Sequence, residues 1–548
     1  MVALPATKGG KLLLYSSPVQ PLNSPLRRAV MSRKVDDDTD AVPPLPEGWT
    51  RCQVYMHRKR RYCRQQQMPN SRFCGNHQSH EELVDSLKDD SKSGTAATPV
   101  ESKKRRVQCP LDPSHDVAAH KLEQHLRKCP SLRKQQELEQ ASYFCRDINK
   151  RGYGMSKYNL EIQDRHSLAW AQRIACAVLQ IHQRLFSGED LSEKDLKTLT
   201  LEKIESALYL EDYSKYELDA GLPRAVEVYR VKSGGPKHLH QQASLLGHLR
   251  RLGALPEPKD LISESMRDTK KQCTAPRTFF DMGAGRGMLG MVAAGVSAVT
   301  EPTNLILVER SGSRSKADTI LRNVPDEALP EDVSRCMNLR ALKWSRIQCD
   351  LAHVRMETVV KEQKVSDIHV IAKHLCGVGT DLALKALEPV KQQLSTCLLA
   401  TCCHGVCNWE DYVGRDCLRR LFATEAIYFG KEEFELLRRW SAATCLPNKN
   451  GAEEHSPAKI AGGSKDEGDA RSPYAVGRVV ESLGLACGVQ GLGRCCQRLI
   501  DQGRCEYIQN VLFCNESSAT TSLVHYVLPQ VTPQNAVVTG RKQTGSSC

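Results

Sequence analysis

Phe279-Phe280-Asp281-Met282-Gly283-Ala284-Gly285-Arg286-Gly287 is an apolar, aromatic run that ends near an acid and passes into glycines at every second position. Such a run reads as a buried strand, and the glycines let the backbone turn sharply and approach a bound nucleoside closely. Alone, the motif is common to many strand-to-helix turns. Its surroundings sharpen it. Short β-type runs, Thr278 to Met282, Asn304 to Glu309, Arg346 to Asp350, Asp367 to Ala372 and Ser395 to Cys402, alternate with helical stretches. That alternation predicts an α/β fold, a mostly parallel sheet with helices on both faces. Glu309 ends the second run, where a carboxylate can accept both hydroxyls of a ribose, and Asp350 ends the third. A dinucleotide site prefers G-x-G-x-x-G, but residue 288 is Met, so an adenosyl cofactor without a pyrophosphate fits better. Asp281, Gly283, Gly285, Gly287, Glu309 and Asp350 are therefore the expected cofactor-binding residues.

Two clusters stand where the fourth and fifth strands end, the edge at which such sheets place ligands. One is Lys373-His374-Leu375-Cys376-Gly377 with Thr380 and Asp381; the other is Cys402-Cys403-His404 with Cys407 and Trp409. A hydroxyl that is to act as a nucleophile needs a base or a cation beside its oxygen, and Lys373, His374 and His404 have the chemistry for it. The alternative is that they orient loops and pack. Cys402, Cys403, His404 and Cys407 are also a conceivable metal set, although adjacent cysteines seldom both reach one ion without strain.

Upstream lie two Cys/His clusters. Cys52, Cys63, Cys74 and His77 give C-x10-C-x10-C-x2-H, with His57 and His80 as rivals for the histidine. Cys109, His115, His125 and Cys129 give C-x5-H-x9-H-x3-C, and the last pair, four apart on an expected helix Ala119 to Lys128, projects from one face. Each set can close a tetrahedral zinc shell, and each segment is too short to bury a core unaided, so two zinc ions are expected.

The net charge is +13, and Trp49 to His80 holds seven Lys/Arg and no acid, which suits a polyanionic partner. Lys103-Lys104-Arg105-Arg106 reads either as a nuclear-import signal or as a phosphate-contacting face. No run of eighteen apolar residues occurs, which argues against an integral membrane protein. Twenty-three cysteines without an apolar signal segment point to a reducing compartment, intracellular, in nucleus and/or cytoplasm. Residues 1–34 carry six basic residues and no acid, so organelle import is a second option, and Met31 an alternative start. The expected layout is a disordered tail over 1–45, a CCCH module over 46–82, a linker over 83–103, a CHHC finger over 104–134 and a catalytic domain over 140–548 with a flexible insertion at about 448–472. Leu168, Trp170, Ile174, Val178, Ile181 and Leu185 predict a core-packing helix from Leu168 to Phe186.

These residues together resemble the Trm-thirteen family of tRNA 2′-O-methyltransferases over most of the chain. The resemblance is carried by both clusters, the second similar to the CHHC finger of a minor-spliceosome protein, and by Lys237-His238-Leu239-His240-Gln241-Gln242-Ala243-Ser244, the glycine loop, Asp350-Leu351-Ala352-His353, Lys373-His374-Leu375-Cys376-Gly377 and the vicinal cysteines. It implies a Rossmann-like methyltransferase domain behind two zinc modules, S-adenosylmethionine as donor, and tRNA as acceptor, methylated on the ribose four from the 5′ end. No protein partner is inferable. Gly405-Val406 departs from the family's His-Arg, and Pro533-Gln534-Asn535 from its acidic-Asn pair. Asp501-Gln502-Gly503-Arg504 matches a basic family motif, with Arg504 a candidate phosphate or ribose contact. Two rival functions remain open: an RNA cytosine-5 methyltransferase using Cys376 or Cys402, and a catalytically inert zinc-finger RNA-binding or splicing factor.

Overall fold

Alternate residues of each central strand serve opposite faces, because side chains along a strand alternate in direction. The computed structural model describes residues 45, 48, 50–56, 61–63, 65–68, 71–74, 106–150, 167–231, 235–257, 275–311, 316–325, 329–373, 375–445, 474–514 and 518–542. The expected tail apart from Leu45, the linker and insertion, His57, His77, His80, His374 and Lys103 to Arg105 lie outside them. The chain divides into two compact units, Met1–Arg127 and Lys128–Cys548.

In the first unit, β1 (Tyr55–Met56) and β2 (Arg61–Tyr62) form a short antiparallel ribbon, as do β3 (Arg106–Cys109) and β4 (Asp112–Ala118). The helix expected at Ala119 to Lys128 is a 3-10 turn, Ala119–Lys121, leading into α1 (Leu122–Leu126).

The second unit is built on β5 (Arg277–Met282), β6 (Thr303–Val308), β7 (Lys343–Ile347), β8 (Asp367–Lys373), β9 (Leu394–Ala400), β10 (Thr520–His525) and β11 (Ala536–Arg541). They form one sheet in the order β10-β11-β9-β8-β5-β6-β7. β5 to β9 are parallel, and β11 runs antiparallel between β9 and β10. Strand order reverses between β5 and β8, and in such sheets the crevice outside the carboxyl ends at that switch point receives ligands. Phe280, Met282, Ile306, Val308 and Val370 face one core, and Phe279, Leu305, Leu307, Ile371 and Leu398 the other. Burial on both faces explains the continuous apolar runs. β7 starts and ends three residues earlier than expected, because its register on β6 pairs Asn304 with Lys343 and Val308 with Ile347. Asp350 therefore sits in the turn beyond the strand. β11 was not anticipated; β10 covers most of the single closing strand expected at Ser522 to Val527.

A third core lies among α2 (Leu168–Phe186), α3 (Lys431–Ser441) and α4 (Gly488–Tyr507). Ile174, Val178 and Ile181 of α2 are at most 1 % exposed, and the Ser167 hydroxyl accepts the Trp170 amide at 3.0 Å to cap the helix. No described helix is long and apolar enough to cross a membrane.

Candidate active site and metal centres

Past the carboxyl ends of β5 to β8 opens a cleft of about 550 Å³, lined among others by Gly283, Glu309, Asp350, Leu375 and Cys376. That volume is within the range of small-molecule and cofactor sites. Gly283 turns through φ +68°, and a Cβ there would stand 2.5 Å from the Leu375 side chain. Gly285 donates its amide to Glu309 Oε2 at 2.8 Å, and Ser311 donates to Oε1 at 2.8 Å. Burial pushes the Glu309 carboxyl up, but these two amides outweigh it and hold the group below the ordinary glutamate range. The Ser311 side chain bonds this carboxylate as well, and the group lines the cleft as a charged acceptor for a hydroxyl donor. Asp350 accepts the Ala352 amide through Oδ1 at 2.9 Å, with the Arg310 guanidinium 3.8 Å from Oδ2.

Asp281 does not line the cleft. It is buried beneath the glycine turn, where Oδ2 accepts the Gly290 amide at 3.2 Å in the first turn of the helix Met288–Ser297. Burial pushes its carboxyl up to about 7. Its role in this arrangement is to fix the strand end to the helix. Gly287 precedes that helix at φ +70°. Arg346 clasps Asp318 at 2.8 Å and donates to the Gly285 carbonyl at 3.2 Å, holding the loop from the other side.

Lys373 closes β8 near Lys237 and His238, at the start of the helix Pro236–Arg251. Burial, with Lys237 beside it, pushes the Lys373 ammonium down to about 8. Burial and the two lysines likewise lower His238. His404 lies elsewhere. It is 2 % exposed and its Nε2 is 2.9 Å from Asp501 Oδ2, while Nδ1 finds no hydrogen-bond partner among the described residues.

Asp501 also takes the Thr401 hydroxyl at 2.7 Å and the Arg504 guanidinium at 2.9 Å. Arg504 donates further to Asp381 at 2.6 Å and to the Gly377 carbonyl at 3.2 Å, and it is wholly buried. The expected phosphate contact at Arg504 is thus corrected: a guanidinium closed inside a core ion network has no face left for RNA. The network instead ties the loops after β8 and β9 to α4.

The thiols regroup as well. Cys407 stays in the core, 3.2 Å from Arg504, and His404 turns to Asp501. The cysteine that joins Cys402 and Cys403 is Cys376 of the preceding loop, all three sulfurs lying within 4.8 Å of one another.

One element of the cleft was missed by sequence reasoning. Between Tyr143 and Lys150 the chain crosses the turn after β7: Cys145 donates to the His353 carbonyl at 2.8 Å and Arg355 to the Tyr143 carbonyl at 2.7 Å. The Asn149 amide group donates to the carbonyls of Leu351 and Val354, both at 2.7 Å. The Asp147 amide donates to His353 Nδ1 at 2.9 Å, and Lys150 and His353 both line the cleft. The segment has neither period 2 nor period 3.6, so no pattern marks it.

In the finger segment Cys109, His115, His125 and Cys129 present four donors within 4.8 Å of one another. His125 Nε2 stands 3.0 Å from His115 Nε2 and 3.3 Å from Cys109 Sγ. Two thiols and two imidazoles so close have the composition of a closed structural zinc shell, and Asp112, 3.6 Å from His115 Nδ1, supplies an outer carboxylate. Cys52, Cys63 and Cys74 also converge, all buried. His77, the expected fourth ligand, is outside the described residues.

Comparison with known families agrees with this division. A model described as CCCH zinc finger in TRM13 protein matches residues 50–78, and one described as U11-48K-like CHHC zinc finger matches 106–130. A third, Methyltransferase TRM13, matches 240–541. Among curated relatives, the human tRNA:m(4)X modification enzyme TRM13 homolog is 25 % identical, covering 93 % of this chain and 98 % of its own. The Saccharomyces cerevisiae tRNA:m(4)X modification enzyme TRM13 is 22 % identical over 90 % of this chain and 96 % of its own. With more than half the sequence under one family model and both finger models matched in order ahead of it, the chain belongs to the TRM13 methyltransferase family.

Proposed function

We infer that the protein transfers a methyl group from S-adenosylmethionine to a ribose 2′-hydroxyl of tRNA, at the fourth nucleotide of the acceptor stem. The observation that carries this reading is the cleft at the β5/β8 switch point, with Gly283, Glu309 and Asp350 around it. Glu309 would take the ribose hydroxyls of the donor, Gly283 would let the nucleoside lie against the backbone, and Asp350 would offer a second acceptor. When bound, the donor supplies a methyl group on a sulfonium, which needs only an oxygen nucleophile in line with it.

Lys373, at the end of β8 and two residues before the cleft-lining Leu375, is the group whose proton affinity best suits readying that oxygen. A neutral amine accepts the hydroxyl proton as the oxygen attacks, and its lowered proton affinity leaves a useful neutral fraction near pH 8. Tight burial of His404 against Asp501 favours a positioning role for it, holding the loop after β9. The relatives named as tRNA-modifying enzymes support RNA as the acceptor, and the basic stretch around the CCCH module supports phosphate contacts. An exposed 2′-hydroxyl in the shallow minor groove suits recognition by shape. The two finger modules would each hold one zinc ion.

Incubation of the full chain with labelled donor and a tRNA pool, followed by nucleoside analysis, tests the reading. A 2′-O-methylated nucleoside from the acceptor stem is expected. Label on bases would overturn the ribose assignment, and a covalent adduct with fluorocytosine RNA at Cys376 would establish the cytosine-5 chemistry instead. Absence of donor binding by calorimetry would leave an RNA-binding protein only.

A further inference from the structure

Cys376 follows β8, whereas Cys402 and Cys403 follow β9, so the three thiols meet only because the two loops are pressed together. Gly377 makes that possible: its amide donates to the Cys402 carbonyl at 3.4 Å, and a Cβ on it would stand 2.4 Å from the Val406 side chain and 2.9 Å from Val406 backbone. Cys403 holds φ +51°, a conformation rare for a residue with a side chain. That is the kind of strain two adjacent cysteines need if both are to reach one point.

Cys376 and Cys402 sulfurs are 3.5 Å apart. A disulfide would bring sulfurs to about 2.05 Å. Two thiolates on one tetrahedral zinc at about 2.3 Å each stand about 3.8 Å apart. The observed separation is far nearer to shared ligation than to a disulfide, and the three sulfurs, like the finger's four donors, all lie within 4.8 Å of one another. No fourth His, Cys, Asp or Glu joins them among the described residues. Two of the three, Cys376 and Cys403, are exposed, and Cys376 lines the cleft.

We propose that Cys376, Cys402 and Cys403 bind a zinc ion at the rim of the cleft, additional to those of the fingers, with its fourth position taken by water or a substrate oxygen. Three protein ligands and one open position is the arrangement of zinc sites that polarise or orient an oxygen. The ion would also clamp together the loops after β8 and β9. The proposal does not depend on the donor or the acceptor, and it is read in thiol reactivity and metal content.

The test uses the full-length, zinc-loaded chain, alkylated with iodoacetamide under native conditions and mapped by peptide mass spectrometry. Cys376 and Cys403 are expected to stay unmodified until a zinc chelator is added, while the exposed Cys514 reacts with or without it. Ready alkylation of Cys376 and Cys403 without chelator overturns the proposal. Protection relieved only by a reductant also overturns it, since that is a disulfide. Metal analysis is the second arm: Cys403→Ser should hold one zinc ion fewer per chain than wild type, and an equal content overturns the site. Cys109→Ser serves as the reference, because it should lose a finger ion yet keep Cys376 and Cys403 protected; their exposure in that variant would mean the protection came from the fingers.

Discussion

A methyl branch added at Gly283 meets the tip of the Leu375 side chain, which must shift, and both residues line the cleft. Left-handed backbone at φ +68° adds about 1–2 kcal/mol of strain for any residue with a Cβ. Gly283→Val should therefore weaken donor binding at least tenfold in a calorimetric titration, with far-ultraviolet circular dichroism unchanged. Donor affinity equal to wild type would remove the cleft as the donor site. At Lys373 the sign of the pH effect follows from which form acts. The base is the neutral amine, and its fraction grows as pH rises through about 8. The methylation rate under saturating substrates should climb roughly tenfold per unit below that value and level off above it. Lys373→Met should lose the limb together with most of the rate, whereas an unaltered profile would move the base elsewhere.

At the scale of elements, α4 is decisive, because it carries charged side chains into the core. Arg504 is wholly buried between Asp381 and Asp501, and removing it leaves two carboxylates without their cation. Breaking a buried pair from one side typically costs about 3–5 kcal/mol. Arg504→Met should show that loss in urea unfolding, and the folded variant should bind RNA with an unchanged salt slope. A shallower slope with unchanged stability would restore the phosphate contact inferred from the motif. The Tyr143–Lys150 segment makes a second element-level case. Asn149 satisfies two carbonyls of the turn that forms the cleft rim, and each lost bond to a buried acceptor costs about 1–3 kcal/mol. Asn149→Ala should loosen that turn, seen as faster amide exchange over 350–355 and weaker donor binding. Unchanged exchange there would mean that the turn holds its own shape.

For the whole molecule, the question is what the metal modules add to the catalytic unit. Cys129→Ser removes one of four zinc donors, and a finger of this size has little else to hold it. The finger should become protease-sensitive between residues 106 and 130 while the larger unit still binds donor. RNA affinity should fall, and its logarithmic salt slope should drop by about one for each phosphate that the finger no longer neutralises. Full RNA affinity with an unfolded finger would confine the module to a structural task.

Periodicity and spacing alone determined the parallel sheet, the glycine turn, the helix Leu168–Phe186 and the ligand order of the CHHC finger, since each is written in neighbouring residues. The continuous apolar runs of β5 and β6, buried on both faces, are a local consequence of strand geometry. The one helix face expected for His125 and Cys129 is corrected: α1 ends at Leu126, and Cys129 reaches the other donors from extended backbone beyond it. Even the near miss at β7 was a shift of three residues imposed by its register on β6. Only tertiary structure decided the rest. It turned Arg504 and His404 inward, took Asp281 off the cleft wall, brought the Tyr143–Lys150 segment across the rim, and set Cys376 beside Cys402 rather than leaving the cysteine group to one loop. Each of those outcomes joins residues that are distant along the chain or belong to different elements. Which polar groups end in water and which end in the core depends on packing between elements, and no short stretch of sequence carries that information.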